Sequence, residues 1–102
     1  MMRERLLYYD RDYQYRDCFV IKYEWDNAKK ELAIFCNYQA RESIKITMCD
    51  VREYFALEIL PNHVIDYIIP TFDYEKEADC YEIHLKQLYE VAKVWAKGMR
   101  RS

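Results

Sequence analysis

Hydrophobic and polar positions alternate over 17–26. Phe19, Ile21, Tyr23 and Trp25 interleave with Val20, Lys22 and Glu24, the period-two signature of a strand. Leu32, Ile34, Cys36 and Tyr38 alternate in the same way over 31–39, and Asn27-Ala28-Lys29-Lys30 between the two runs has the length and polarity of a hairpin loop. Closing that hairpin on Asp26 and Glu31 sets Trp25 opposite Leu32, Tyr23 opposite Ile34, Ile21 opposite Cys36 and Phe19 opposite Tyr38. Every pair is apolar and lies on one face, and a slip of one residue would destroy the match. Ile44, Ile46 and Met48 against Lys45 and Thr47 predict a third strand over 43–48. Hairpin 17–39 and strand 43–48 then form an antiparallel three-stranded meander.

The remaining pattern predicts helices. Asp50-Val51-Arg52-Glu53 matches a capping box with Asp in the cap position, followed by a short helix to about Ile59 that stops before Pro61. Val51, Tyr54, Phe55 and Ile59 would face inward. Val64, Ile65, Ile68 and Ile69 fit a second short helix, although the same run is β-branched enough for a strand. Ala78, Tyr81, Leu85, Leu88, Ala92, Trp95 and Met99 recur at spacings of three and four and predict one long C-terminal helix. Acids crowd its start and bases its end, as the helix dipole favours. The rival reading makes 80–85 a strand hairpinned to the preceding segment, because Tyr81, Ile83 and Leu85 also alternate, with a helix beginning near Lys86. The expected fold is α+β: the meander packed against a short and a long helix in one domain, 1–102. The first twelve residues or so add a strand or an arm, since Leu7, Tyr9, Tyr13 and Tyr15 share parity with Phe19 and Ile21.

Composition narrows the functions. A chain of 102 residues that is 52% hydrophobic is large enough for one core without metal or disulfide. Gly98 is its only glycine, which excludes a P-loop, a dinucleotide-binding fingerprint and a nucleophile elbow. A net charge of −2 is not the basic footprint of a nucleic-acid binder, so direct nucleic-acid contact is not expected. The charged N-terminus lacks a signal-peptide core, and no apolar run reaches the roughly 18 residues of a membrane span. The expectation is a soluble cytoplasmic protein whose four cysteines are free thiols.

Four groups of residues carry candidate chemistry. Cys80 and His84 would share a helix face and supply half of a zinc site, with Cys49 and His63 completing it, but no Cys-x-x-Cys pair supports this and no cofactor is expected. Cysteine–histidine nucleophile pairs match no signature, so a metal- or cysteine-dependent enzyme ranks last. The carboxylates Glu75, Glu77, Asp79 and Glu82, and Asp50 with Glu53, sit where helix N-termini favour anions anyway. The fourth group is compositional: eleven tyrosines, several interleaved with arginine in Tyr8, Tyr9, Arg11, Tyr13, Tyr15 and Arg16. Tyrosine and arginine dominate protein-interface hot spots, while Asp10, Asp12 and Asp17 cancel the charge a nucleic-acid groove needs.

The expectation is a non-enzymatic inhibitor or adaptor that binds another protein through these six residues. Immunity proteins of toxin systems and phage-encoded inhibitors of bacterial defence, anti-CRISPR proteins among them, resemble it in size and composition. The alternative is a small nucleic-acid-associated homodimer zipped along Leu85, Leu88, Ala92 and Trp95.

Overall fold

Eight strands and a single 3-10 turn, Leu57–Ile59, make up the regular backbone of residues 11–102, the part of the chain that the computed structural model describes. The strands are β1 (Cys18–Asp26), β2 (Glu31–Tyr38), β3 (Glu42–Cys49), β4 (Glu53–Phe55), β5 (Ile65–Asp73), β6 (Ala78–Leu85), β7 (Val91–Trp95) and β8 (Gly98–Arg101). They form two antiparallel four-stranded sheets, ordered β1-β2-β3-β8 and β4-β7-β6-β5. The inner faces meet in one core. Leu32–Met48, Ile34–Ile46 and Cys36–Ile44 pair across the first sheet, and Ile68, Ile83 and Ala92 line up across the second. Tyr15, Val51, Leu57 and Leu60 fill the ends of that core.

The two sheets are joined at two seams. At one, β3 runs into β4 and β7 into β8, so a two-stranded ribbon passes from sheet to sheet. β3 pairs with β8 and β4 with β7, and between them Lys97 N–H donates to Cys49 C=O at 3.0 Å and Arg52 N–H to Trp95 C=O at 2.7 Å. At the other, Val20 N–H donates to His63 C=O and Asn62 N–H to Val20 C=O, tying β1 to the lead-in of β5. Together the seams satisfy backbone groups that two separate sheets would leave open at their edges.

The halves are built alike. Each starts with a nine-residue strand, a four-residue turn and an eight-residue strand. In each turn the strand's last residue is an aspartate whose Oδ1 accepts two backbone N–H groups: Asp26 from Ala28 and Lys29, Asp73 from Glu75 and Lys76. Each turn ends on a residue in the left-handed region, Lys30 (φ 55°) or Glu77 (φ 51°). No repeat was expected from the residues, because the halves share turn geometry rather than side chains.

The first hairpin closes on Asp26 and Glu31 as expected, with Trp25 opposite Leu32 and Tyr23 opposite Ile34. A bulge at Ile21 then shifts the register. Val20, not Ile21, faces Cys36, and Cys18, not Phe19, faces Tyr38. One extra residue reverses the faces of the strand beyond it. Val20 and Cys18 enter the core, while Phe19 and Ile21 turn outward, 40% and 44% exposed.

The α+β expectation is overturned: the fold is nearly all β, and no long C-terminal helix exists. Asp50 lies in the left-handed region (φ 53°), whereas an N-cap needs extended backbone, and the Val51 and Arg52 N–H groups donate to Lys30 and Trp95 carbonyls instead of starting a helix. The 64–69 run belongs to β5, where its β-branched residues fit the pleat. The three-four repeat over 78–99 divides among β6, β7 and β8. Leu85 and Ala92 reach the core with Ile83 and Val94, so two period-two strands joined by a loop had mimicked a helical stripe. The rival strand over 80–85, hairpinned to the preceding segment, is what forms.

Eight non-glycine residues among those described have positive φ, including Ala40 (56°) and Ala56 (63°). A Cβ in that region is sterically strained, and alanine has no polar side chain to compensate. Ala56→Gly is expected to stabilise the fold by up to about 1 kcal/mol, net of the extra freedom glycine gives the unfolded chain, as read from denaturant midpoints. A loss of stability would place Ala56 outside the left-handed region.

Candidate protein-binding face

No helix among the described residues lies across the outer face of the β4-β7-β6-β5 sheet, whose residues are mostly half-buried. Alternation along the strands sets its rows. Tyr67, His84 and Val91 lie side by side, as do Ile69, Glu82, Lys93 and Phe55. Phe55 is 60% exposed.

The segment before β1 folds onto one end of this face. Asp12 and Ile68 exchange backbone hydrogen bonds, Asp12 N–H to Ile68 C=O at 2.7 Å and the reverse at 3.0 Å. The segment thus adds to the edge of β5 rather than extending β1. Pro70, two residues beyond Ile68, turns its donor-less nitrogen to that same edge, which is where a strand tolerates proline.

This pairing brings three of the six expected interface residues together. The Tyr13 ring meets Tyr67 edge-on at 5.7 Å, and Tyr67 stacks on His84 at 4.4 Å. The Arg11 guanidinium lies 4.5 Å over Tyr67 and that of Arg16 lies 5.2 Å from the Tyr13 ring. His84 Nε2 is 3.2 Å from Glu82 Oε1, which anchors the far end of the stack. Arg11 is held above its ordinary pKa, first by its interaction with the Tyr13 side chain and then by Tyr67. Arg16 Nε sits 3.3 Å from Asp66 Oδ1, a buried oxygen with no hydrogen bond, so Arg16 compensates a charge that the fold has partly desolvated. Lys86 pairs with Asp17 beside it.

Tyr15 departs from the expectation. It is 1% exposed, belongs to the core, and burial pushes its phenol pKa up, so it is closed to a partner. Tyr8 and Tyr9 lie outside the described residues. Two contributors were missed: Tyr67 and His84 had been assigned to helices. The strand alternation of Tyr81, Ile83 and Leu85 was the signal that could have placed His84 on an outer face.

The other candidate chemistry does not assemble. On strand β6, Cys80 and His84 stand about 13 Å apart at the usual rise per residue, too far for one ion. No group of three or more His, Cys, Asp or Glu among the described residues is placed to hold a metal. The acids around 73–79 form a turn rather than a helix start: Asp73 accepts from Trp95 Nε1 at 2.8 Å, and Lys76 pairs with Glu53 at 2.9 Å. The Trp95 N–H, and next the Lys76 backbone N–H, hold the Asp73 carboxyl below its usual range. Leu85 and Ala92 are core residues, so the proposed dimer stripe does not exist as a surface. No helix among the described residues is long and apolar enough to cross a membrane.

No family model, curated protein or solved structure matches this chain. The likeness in size and composition to immunity proteins and anti-CRISPR proteins gains nothing from these comparisons.

All four cysteines are free. Burial pushes the Cys36 thiol up to about 12 and the Cys80 thiol up to about 11, and raises Cys18 as well. Cys49 is partly exposed, with Arg100 Nη1 donating to its sulfur at 2.7 Å. Ellman's reagent at pH 8 is therefore expected to find one fast thiol in the native protein and four after denaturation. Two or more fast native thiols would contradict this burial pattern.

Proposed function

We propose that the protein is a non-enzymatic binding module, an inhibitor or adaptor of another protein, acting in the cytoplasm. The observation that carries this reading is the gathering of Arg11 and Tyr13 on Tyr67, with Arg16 against Tyr13, on a sheet face that no helix among the described residues covers. Tyrosine and arginine supply most of the energy at protein interfaces, because they bury large area while keeping a polar tip for hydrogen bonding. Here the rings support one another, so little side-chain freedom remains to be lost on binding, which favours affinity. Phe55 and Ile69 extend the face with apolar area. Four free thiols, three of them buried, suit a reducing compartment.

The test is affinity capture from native lysate, identification of the bound protein, and titration with purified variants. Joint Arg11→Ala, Tyr13→Ala and Tyr67→Ala substitution is expected to weaken binding at least about tenfold. Ile21→Thr, on the outer face of the other sheet, is expected to leave it unchanged. Equal affinity of the triple variant and the wild type would overturn the reading.

A further inference from the structure

Among the described residues, each carboxylate around the aromatic stack has a partner. Asp66 faces Arg16, Glu82 faces His84, and Asp17 pairs with Lys86. Asp12 is engaged by Gln14, which donates from its backbone N–H at 3.0 Å and its side-chain amide at 2.9 Å. Arg11 pairs with none of these carboxylates. Among the described residues it has no carboxylate in ion-pair contact, and its neighbours are the rings of Tyr67 and Tyr13. Elsewhere Arg100 and Arg101 face Glu31 and Glu42, and Arg52 donates to the Lys76 carbonyl.

Stacking changes what a guanidinium can do. The guanidinium lies over Tyr67, Tyr67 is itself held by His84, and Tyr13 takes part of its hydrogen-bonding capacity, leaving the remaining N–H donors with no carboxylate in ion-pair contact among the described residues. The planar guanidinium edge matches the two oxygens of a carboxylate. We infer that Arg11 is the anion-recognition arm of the proposed binding face, and that the partner seats an aspartate or glutamate side chain against it with an apolar neighbour on Tyr13 and Tyr67. The inference rests on the binding-module reading and specifies its partner as an acidic, partly apolar segment. The planar fork matches a carboxylate, whereas a phosphate dianion calls for further cations, and Arg16 and Lys86 are already paired.

The experiment is a two-dimensional NMR titration of the whole labelled chain, following the Arg11 side-chain Nε–H and the Tyr13 and Tyr67 ring resonances. The probes are a capped Ala-Leu-Glu-Leu-Ala peptide, the same peptide with Gln in place of Glu, and inorganic phosphate. The glutamate peptide is expected to shift these resonances saturably and the glutamine peptide is not. Arg11→Lys, which keeps the charge but loses the fork, is expected to weaken the effect about tenfold, with backbone amides elsewhere unchanged. Absence of a saturable shift, equal shifts from the two peptides, or a shift by phosphate as large as that by the glutamate peptide would each overturn the assignment. A partner captured through Tyr13 and Tyr67 with no such peptide response would sink this inference alone. Unchanged capture by the triple variant would sink the binding-module reading.

Discussion

The fold hangs on the ribbon that crosses between its sheets. β3–β4 and β7–β8 each serve both sheets, and the ribbon stays continuous through Lys97 N–H to Cys49 C=O and Arg52 N–H to Trp95 C=O. Without those bonds, the two four-stranded sheets would meet only through apolar side chains and the seam at Val20, and each would leave a strand edge unpaired. The ribbon is also what removes the helix from 50–53. The donors that would begin a helix are spent on neighbouring strands, and Asp50 bends the chain through the left-handed region to reach them.

The second seam sets up the binding face. Val20 joins residues 62 and 63, the Asp17 N–H donates to the Ile65 carbonyl, and the preceding segment is thereby delivered to the edge of β5. Tyr15 anchors that segment in the core while Tyr13, two residues earlier, stays 45% exposed over Tyr67. Burial of one tyrosine thus positions another, and the open sheet beneath supplies the stacking partner. The proposed recognition role rests on this layout: paired charges at the margin, aromatic rings in the middle, and the Arg11 guanidinium against Tyr67 and Tyr13.

Legibility in the sequence followed the punctuation of the chain. The first hairpin was readable because its loop is polar and both flanks alternate cleanly, down to Trp25 opposite Leu32. It failed at the run Cys18-Phe19-Val20-Ile21, where both parities are apolar and nothing marks a bulge. The second half failed for want of glycine. Its turns use Asp73 with Glu77, and Ala56 and Asn62, in the left-handed region, so no glycine separated β5, β6 and β7. The aspartate that closes both hairpins at equivalent places, Asp26 and Asp73, was the available clue. The Tyr/Arg cluster was legible as composition, but its partition was not: whether Tyr13 or Tyr15 is buried depends on the β5 edge, a contact more than fifty positions along the chain.

Amide hydrogen exchange at the crossing ribbon tests this architecture most directly. If the ribbon unites the sheets, the Arg52 and Lys97 amides exchange as slowly as those at the centres of the sheets, such as Ile34 and Ile83, because all open only with global unfolding. Exchange of Arg52 and Lys97 at the rate of a free loop, with the two sheets still protected, would mean that the ribbon does not unite the sheets, and the account would be wrong at its centre.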